Sequence, residues 1–258
     1  MIETLTAISS LWEGVLGGAL AVFLRIGTAI AVLPAFGEST LSVRIRLAAA
    51  IALTLLVAPA VAPLSQQYQM TLAALIQLLA TESVIGLIFG LILRLLILSL
   101  QIAGTIAAQS TSLAQLFGGA SAQPLPAIGH LLVVGGLALA AMADLHIRVA
   151  EALIATYTLV PVGAFPSPAE AAELGIAHVG RAFALAFSLA APFALGAFVY
   201  NLALGAINRA MPQLMVAFVG APAITAGGLA LLALVAPLAL EIWLATLIAT
   251  LETPLGMP

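Results

Sequence analysis

The stretch TLAALIQLLATESVIGLIFGLILRLLILSLQIAGTIAAQSTSLAQL, Thr71–Leu116, decides the fold class. Its only charged residues are Glu82 and Arg94. It lacks the every-second-residue alternation of a barrel strand, and in a bilayer every backbone polar group must be paired inside the structure, so it reads as helix. At 1.5 Å per residue that helix is about 69 Å long. One span of a hydrocarbon core about 30 Å thick needs roughly 20 residues. The stretch is therefore expected to bend, fold back or extend beyond the membrane, with Gly104 and the polar tract after it as the expected place.

The rest of the chain has the same character. Of 258 residues, 7% are charged, with seven basic and ten acidic side chains. An ordinary soluble domain carries about 25% charge. A mean hydropathy of +1.25 agrees with helices that are apolar along most of their length. The fold class is an all-α membrane protein of about six hydrophobic helical segments, several of them kinked or hairpin-like. Cysteine is absent, which removes disulfides and Cys-based metal sites. All cations are arginine, and the net charge of −3 argues against nucleic acid as a partner. Residues 1–13 carry two glutamates and no positive charge, unlike a cleavable signal peptide, so the first span is expected to persist in the mature protein.

The segments follow from apolar runs and their punctuation. The first runs from about Val15 to Leu33, contains Arg25, and is closed by Pro34, Phe36 and Gly37. Arg44 and Arg46 precede a run from Leu47 to Val57 that leads into Pro59 and Pro63. After Thr71–Leu116 come a run from His130 to Ala143 and a semi-polar, interfacial-looking stretch from Asp144 to Tyr157. A proline-rich loop, Pro161–Pro168, precedes Glu170 and Glu173, carboxylates that suit a helix N-terminus. Arg181–Leu204 is expected to kink near Pro192. Leu214–Leu251, interrupted at Pro222, Gly227-Gly228 and Pro237, reads either as a short hairpin or as one kinked helix. Arg44, Arg46 and Arg209 favour the cytoplasmic side.

Ionisable residues in apolar segments are the first candidates for function, because lipid makes them expensive. Arg25, Glu82, Arg94 and Glu241 qualify. One reading is a proton or ion path; the commoner one is interhelical pairing or snorkelling. Glu82 and Arg94 lie about 120° apart around a helix, so each is expected to find its partner on another helix. Gly86 and Gly90 form a G-x-x-x-G one step of four beyond Glu82, a ridge that lets backbones approach. His130, His146 and His178 are scattered, no H-E-x-x-H occurs, and a metal site is not expected. No nucleophile elbow or phosphate loop is present either, so neither enzymatic activity nor a cofactor is expected. The tract QSTSLAQLFGGASAQ, Gln109–Gln123, is polar, uncharged and glycine-bearing. It reads equally as an exterior loop or as a re-entrant pore element.

These features together resemble the FliR family of type III export-gate proteins. The resemblance spans nearly the whole chain: Arg25, Pro34, Gly37, Arg44 and Arg46; E-S-V-I-G at Glu82–Gly86; Gln101, Ala103 and Gly104; Q-S-T-S-L-A-Q-L-F-G from Gln109; Tyr157–Pro166 with Pro161 and Gly163; and R-A-M-P-Q-L-M-V with Arg209, Pro212, Gln213 and Leu214. The family usually has Asn after P-Q-L and Phe two places later, where this chain has Met215 and Ala217, with Phe218 one position on.

The resemblance implies a FliP-like part at 1–207 fused to a FliQ-like helical hairpin at 208–258. It implies a core subunit of the flagellar export gate in the bacterial inner membrane at the basal body, with a virulence secretion gate as the alternative. FliP-like and FliQ-like subunits would share the pore, and FlhB-like and FlhA-like proteins would attend it. Unfolded export substrates would pass through, with membrane lipid around the assembly. A plug or gating loop would comprise Gln109, Ser110, Leu113, Gln115, Leu116, Phe117, Gly118 and Gly119. Arg25, Glu82, Gly86, Gly90, Arg94, Arg209, Pro212 and Gln213 would serve subunit packing or buried polar contacts. A small-solute transporter competes on the strength of Arg25, Glu82 and Arg94, but the paired halves common in such transporters are not visible.

Overall fold

The computed structural model describes residues 2–33, 42–65, 71–111, 127–211 and 216–256. Among them it is entirely helical: α1 (Ile2–Val32), α2 (Val43–Ser65), α3 (Leu72–Thr111), α4 (Ala127–Met142), α5 (Leu145–Leu159), α6 (Pro168–Ala210) and α7 (Val216–Glu252). Four helices are long and apolar enough to cross a membrane, or five if α4 and α5 together form one broken span. The all-α membrane reading therefore holds.

Local chemistry sets several ends. Thr71 caps α3, its Oγ1 accepting from the Ala74 amide at 3.2 Å. Ser167 does the same for α6 through the Glu170 amide, with Pro168 at the first helical position. Asp144, between α4 and α5, takes left-handed backbone angles (φ 59°), which Asp tolerates better than most residues. Gly163, in the α5–α6 connection, has φ 75°, where a side chain would be strained.

Boundaries depart from the sequence expectations where apolar runs and prolines were the guide. Helix α1 begins at Ile2, because the polar residues of 3–14 interrupt hydropathy but not helix formation. Pro59 and Pro63 do not end α2, and Pro192 lies inside an unbroken α6. A proline removes one amide donor, and a membrane helix can re-satisfy the freed group locally. Helix α3 is a single helix through Gly104. Residues 216–252 are likewise one helix across Pro222, Gly227-Gly228 and Pro237. Of the two readings of Leu214–Leu251, the one-helix reading fits the described residues from 216 on. Alanine and leucine on both sides of each break keep the helical propensity high.

The chain divides into two compact units. The first comprises residues 1–95, 144–179 and 247–258; the second comprises 96–143 and 180–246. In the first, α1 packs on α2, whose buried residues include Ala50, Val57 and Val61. In the second, Trp243 of α7 is fully buried and donates from Nε1 to the Leu96 carbonyl at 2.7 Å. The Ser99 hydroxyl donates to the same carbonyl at 2.6 Å. Gly136 of α4 leaves room for the indole: a Cβ there would lie 3.2 Å from Trp243 Cζ3. Gly104 of α3 meets the backbone of Gly129 of α4 so closely that a Cβ would overlap Gly129 Cα. The residue expected to bend the helix is instead where two helices touch.

Gly104→Ala should therefore cost about 1–3 kcal/mol, because backbone has to move. Gly175→Ala, where a Cβ meets nothing within 4 Å, should gain up to about 1 kcal/mol from helix propensity. Thermal unfolding of the two detergent-solubilised variants checks this. Equal midpoints would mean that α3 and α4 do not depend on the glycine contact.

Candidate functional site: a buried charge cluster

The first unit is built around a guanidinium and a carboxylate that water does not reach. Arg25 of α1 and Glu82 of α3 are both fully buried. Arg25 Nε donates to Glu82 Oε2 at 2.7 Å. Its Nη1 donates to Thr156 Oγ1 of α5 at 3.0 Å, and its Nη2 to the Val160 carbonyl at 3.1 Å. The guanidinium carbon lies 3.7 Å from the centre of the Tyr157 ring, in cation–π contact. The second carboxylate oxygen, Glu82 Oε1, accepts from the Gly163 amide at 2.9 Å. Gln77, also on α3, donates from Nε2 to the Gly163 carbonyl at 3.0 Å.

The connection V-P-V-G, Val160–Gly163, is thus held at both ends. Val160 is extended, as the residue before a proline prefers, and its carbonyl faces Arg25. Gly163 turns its amide toward Glu82 and its carbonyl toward Gln77. Thr156 passes its own proton to the Leu153 carbonyl at 2.6 Å, leaving a lone pair for Arg25. One cation and one anion therefore tie α1, α3, α5 and the start of the α5–α6 connection together.

Close backbone approach makes this possible. At Gly86 a Cβ would collide with the Arg25 carbonyl oxygen and Thr28 Oγ1. At Gly90 it would stand 2.7 Å from the Ala29 carbonyl oxygen. The G-x-x-x-G ridge is a seat for α1, one turn from the ion pair.

The structure brings together Arg25, Glu82, Gly86 and Gly90, and favours pairing over an ion path for the first two. Both Glu82 oxygens are occupied by donors of this chain. Arg94 stands apart, exposed on α3. Arg209 is exposed in the last turn of α6, in the other unit. Gln109 is exposed near the end of α3, and the Ser110 hydroxyl donates to the Ile106 carbonyl at 2.7 Å. Leu113, Gln115, Leu116, Phe117, Gly118, Gly119, Pro212 and Gln213 lie outside the described residues. Among the described residues, no group of His, Asp or Glu is arranged to hold a metal. Sequence reasoning did not single out Gln77 or Thr156, and named Tyr157 only as the boundary of two stretches. Thr156 and Tyr157 lie four and three residues before Val160, on the face a helix turns toward its own C-terminal connection, and that spacing is the one signal available.

Removing one partner of a buried pair leaves an uncompensated charge, so Arg25→Ala or Glu82→Ala should each destabilise by about 3–5 kcal/mol. The double variant Arg25→Met/Glu82→Met should cost far less than the sum. Denaturation of all three in detergent tests the coupling. Additivity within about 0.5 kcal/mol would show that the two groups act independently.

The family model "Bacterial export proteins, family 1" matches residues 16–249. The chain is 34% identical to flagellar biosynthetic protein FliR of Caulobacter vibrioides, over 84% of this chain and 87% of that protein. It is 29% identical to FliR of Pectobacterium carotovorum, over 84% and 83% of the two chains, and 27% identical to FliR of Escherichia coli, over 83% and 82%.

Proposed function

The chain belongs to family 1 of the bacterial export proteins, the FliR family, and we propose that it is a core subunit of the flagellar export gate. In this reading it joins FliP-like and FliQ-like subunits around a pore for unfolded flagellar substrates. FlhB-like and FlhA-like proteins attend it, at the basal body in the inner membrane. Residues 1–207 form the FliP-like part, and the FliQ-like part begins near residue 208. The relatives described above all carry flagellar names, which favours flagellar over virulence secretion.

One observation carries the assembly. Helices α3, α6 and α7 have 40, 43 and 37 residues, so they are about 55–65 Å long. Even tilted by about 40°, each would reach some 43–49 Å along the membrane normal, well beyond a core of about 30 Å. Helix α7 carries a single charge, Glu241, from Val216 to Leu251, and only 22% of its most apolar stretch is buried by this chain. Such helices have to be covered by other protein chains where lipid ends. A hetero-oligomer provides that cover; a lone transporter does not.

Within the gate, the loop after α3 is the plug. Its Leu113, Leu116 and Phe117 supply an apolar constriction that excludes water and ions at rest. Gly118 and Gly119 give the backbone the freedom to withdraw. Deleting Leu113–Gly119 should raise the ion conductance of the assembled complex several-fold in planar bilayers. Conductance equal to that of the intact complex would remove the plug assignment while leaving the assembly in place.

A further inference from the structure

The four charges singled out above within apolar segments, Arg25, Glu82, Arg94 and Glu241, meet different fates. Arg25 and Glu82 satisfy one another in the interior. Arg94 sits near the middle of the long α3, where one end of a span can lie. Glu241 is different: it is exposed on α7, with no other charge from Val216 to Leu251. Among the described residues, no hydrogen bond or ion pair reaches it. Its surroundings on that face are Leu234, Pro237, Leu238 and Ile242, all exposed. A carboxylate on an apolar helix needs a cation, a donor or water beside it.

A second feature lies on the same face. Ala223, Gly227, Ala230, Leu234, Pro237 and Glu241 follow steps of four and three, and all are exposed. This is the spacing that faces a partner helix crossing at a shallow angle. At Gly227 the face is open, since a Cβ there would meet nothing within 4 Å. Beside it is a cavity of about 150 Å³ between α6 and α7, lined by Phe193, Gly196, Tyr200, Gly227 and Leu231 among others. The Tyr200 hydroxyl, at its edge, donates to the Gly220 carbonyl at 2.5 Å and so keeps α6 and α7 together there. The notch has room for one large apolar side chain.

We propose that the face of α7 from Gly227 to Glu241 docks a membrane helix of a partner subunit. That helix places a bulky apolar side chain in the Gly227 notch and an arginine or lysine opposite Glu241. The two anchors on α7 are fourteen residues apart, about 21 Å along the axis, so the partner carries its own anchors two heptads apart. Lipid chains could fill the notch but offer no cation, and the charge decides between the two occupants. The inference rests on the export-gate reading and adds a surface and a chemistry to it.

The test uses the full chain purified from membranes with its FliP-like and FliQ-like subunits. Glu241→Arg and Gly227→Leu should each lower the share of chain recovered in the complex by about tenfold or more, as expected for losing a desolvated charge contact or a core contact. Glu241→Asp should assemble, and so should Gly205→Leu, placed where a Cβ also meets open space. Reversing one cation of the partner helix to glutamate should restore Glu241→Arg. Because the chain has no cysteine, Glu241→Cys gives an independent reading. Its labelling by a membrane-impermeant thiol reagent should be slow in the complex and faster in the isolated chain. Equal labelling in both, or wild-type assembly of Glu241→Arg and Gly227→Leu, would overturn the docking face alone. A wild-type chain that enters no hetero-oligomer would overturn the export-gate reading, and the docking face with it.

Discussion

A guanidinium and a carboxylate withdrawn from water must find all their partners inside the protein, and in the first unit that requirement fixes where three helices meet. Charges out of water are costly, and the attraction between them offsets the cost only when geometry is good and the remaining donors and lone pairs are satisfied. Arg25 meets the condition with a fork that reaches a carboxylate, a hydroxyl and a carbonyl at 2.7–3.1 Å. The flat guanidinium also lies against Tyr157, which a lysine ammonium could not reproduce with the same three bonds. The glycine at 86 belongs to the same device. The ion pair needs α1 and α3 to approach until the Arg25 carbonyl occupies the space of a Cβ, and glycine alone leaves that space free.

Two units of one chain solve the same problem by different means. Between helices in lipid there is little hydrophobic driving force, because the tails are as apolar as leucine, so packing and hydrogen bonds do the selecting. The first unit selects with a charge pair. The second selects with shape: Trp243 over Gly136, its indole proton on the Leu96 carbonyl, and Gly104 against Gly129. Trp243 is as completely buried as Arg25. In both units a glycine on one helix makes room for the group that identifies the contact.

The helical membrane class was legible because it depends on summed composition, which sequence states directly. Arg25, Glu82 and the glycines after Glu82 were legible as exceptions, since a charge or a bare backbone in an apolar run demands an explanation. Their pairing was not, because Arg25 and Glu82 are 57 residues apart and no periodicity connects them. Thr156 and Tyr157 were hidden by their ordinariness in a semi-polar helix. Trp243 was hidden because a tryptophan in an apolar run breaks no pattern. Prolines marked less than they suggested: α2 runs through Pro59 and Pro63, α6 continues past Pro192, and residues 216–252 take the one-helix alternative across Pro222 and Pro237. The competition that ends a helix at proline in water, where freed groups bond to solvent, is absent in an apolar environment.

That last point bears on what hydrophobicity means for this family member. A span can be apolar because lipid surrounds it or because protein does, and composition does not separate the two. Helix length does. Helix α7 presents Leu229, Leu234, Leu238 and Ile242 to its surroundings, and its 37 residues outrun the bilayer at any ordinary tilt. From Val216 to Leu251 its single charge is Glu241. Helices α3 and α6 outrun it too, with exposed Leu87 and Leu91 on one and exposed Phe183, Phe187 and Phe198 on the other. An apolar helix that extends beyond the hydrocarbon without a polar side is stable only when neighbouring chains extend with it. In the gate proposed for this chain, neighbouring subunits would cover the apolar surface that such long helices carry past the bilayer.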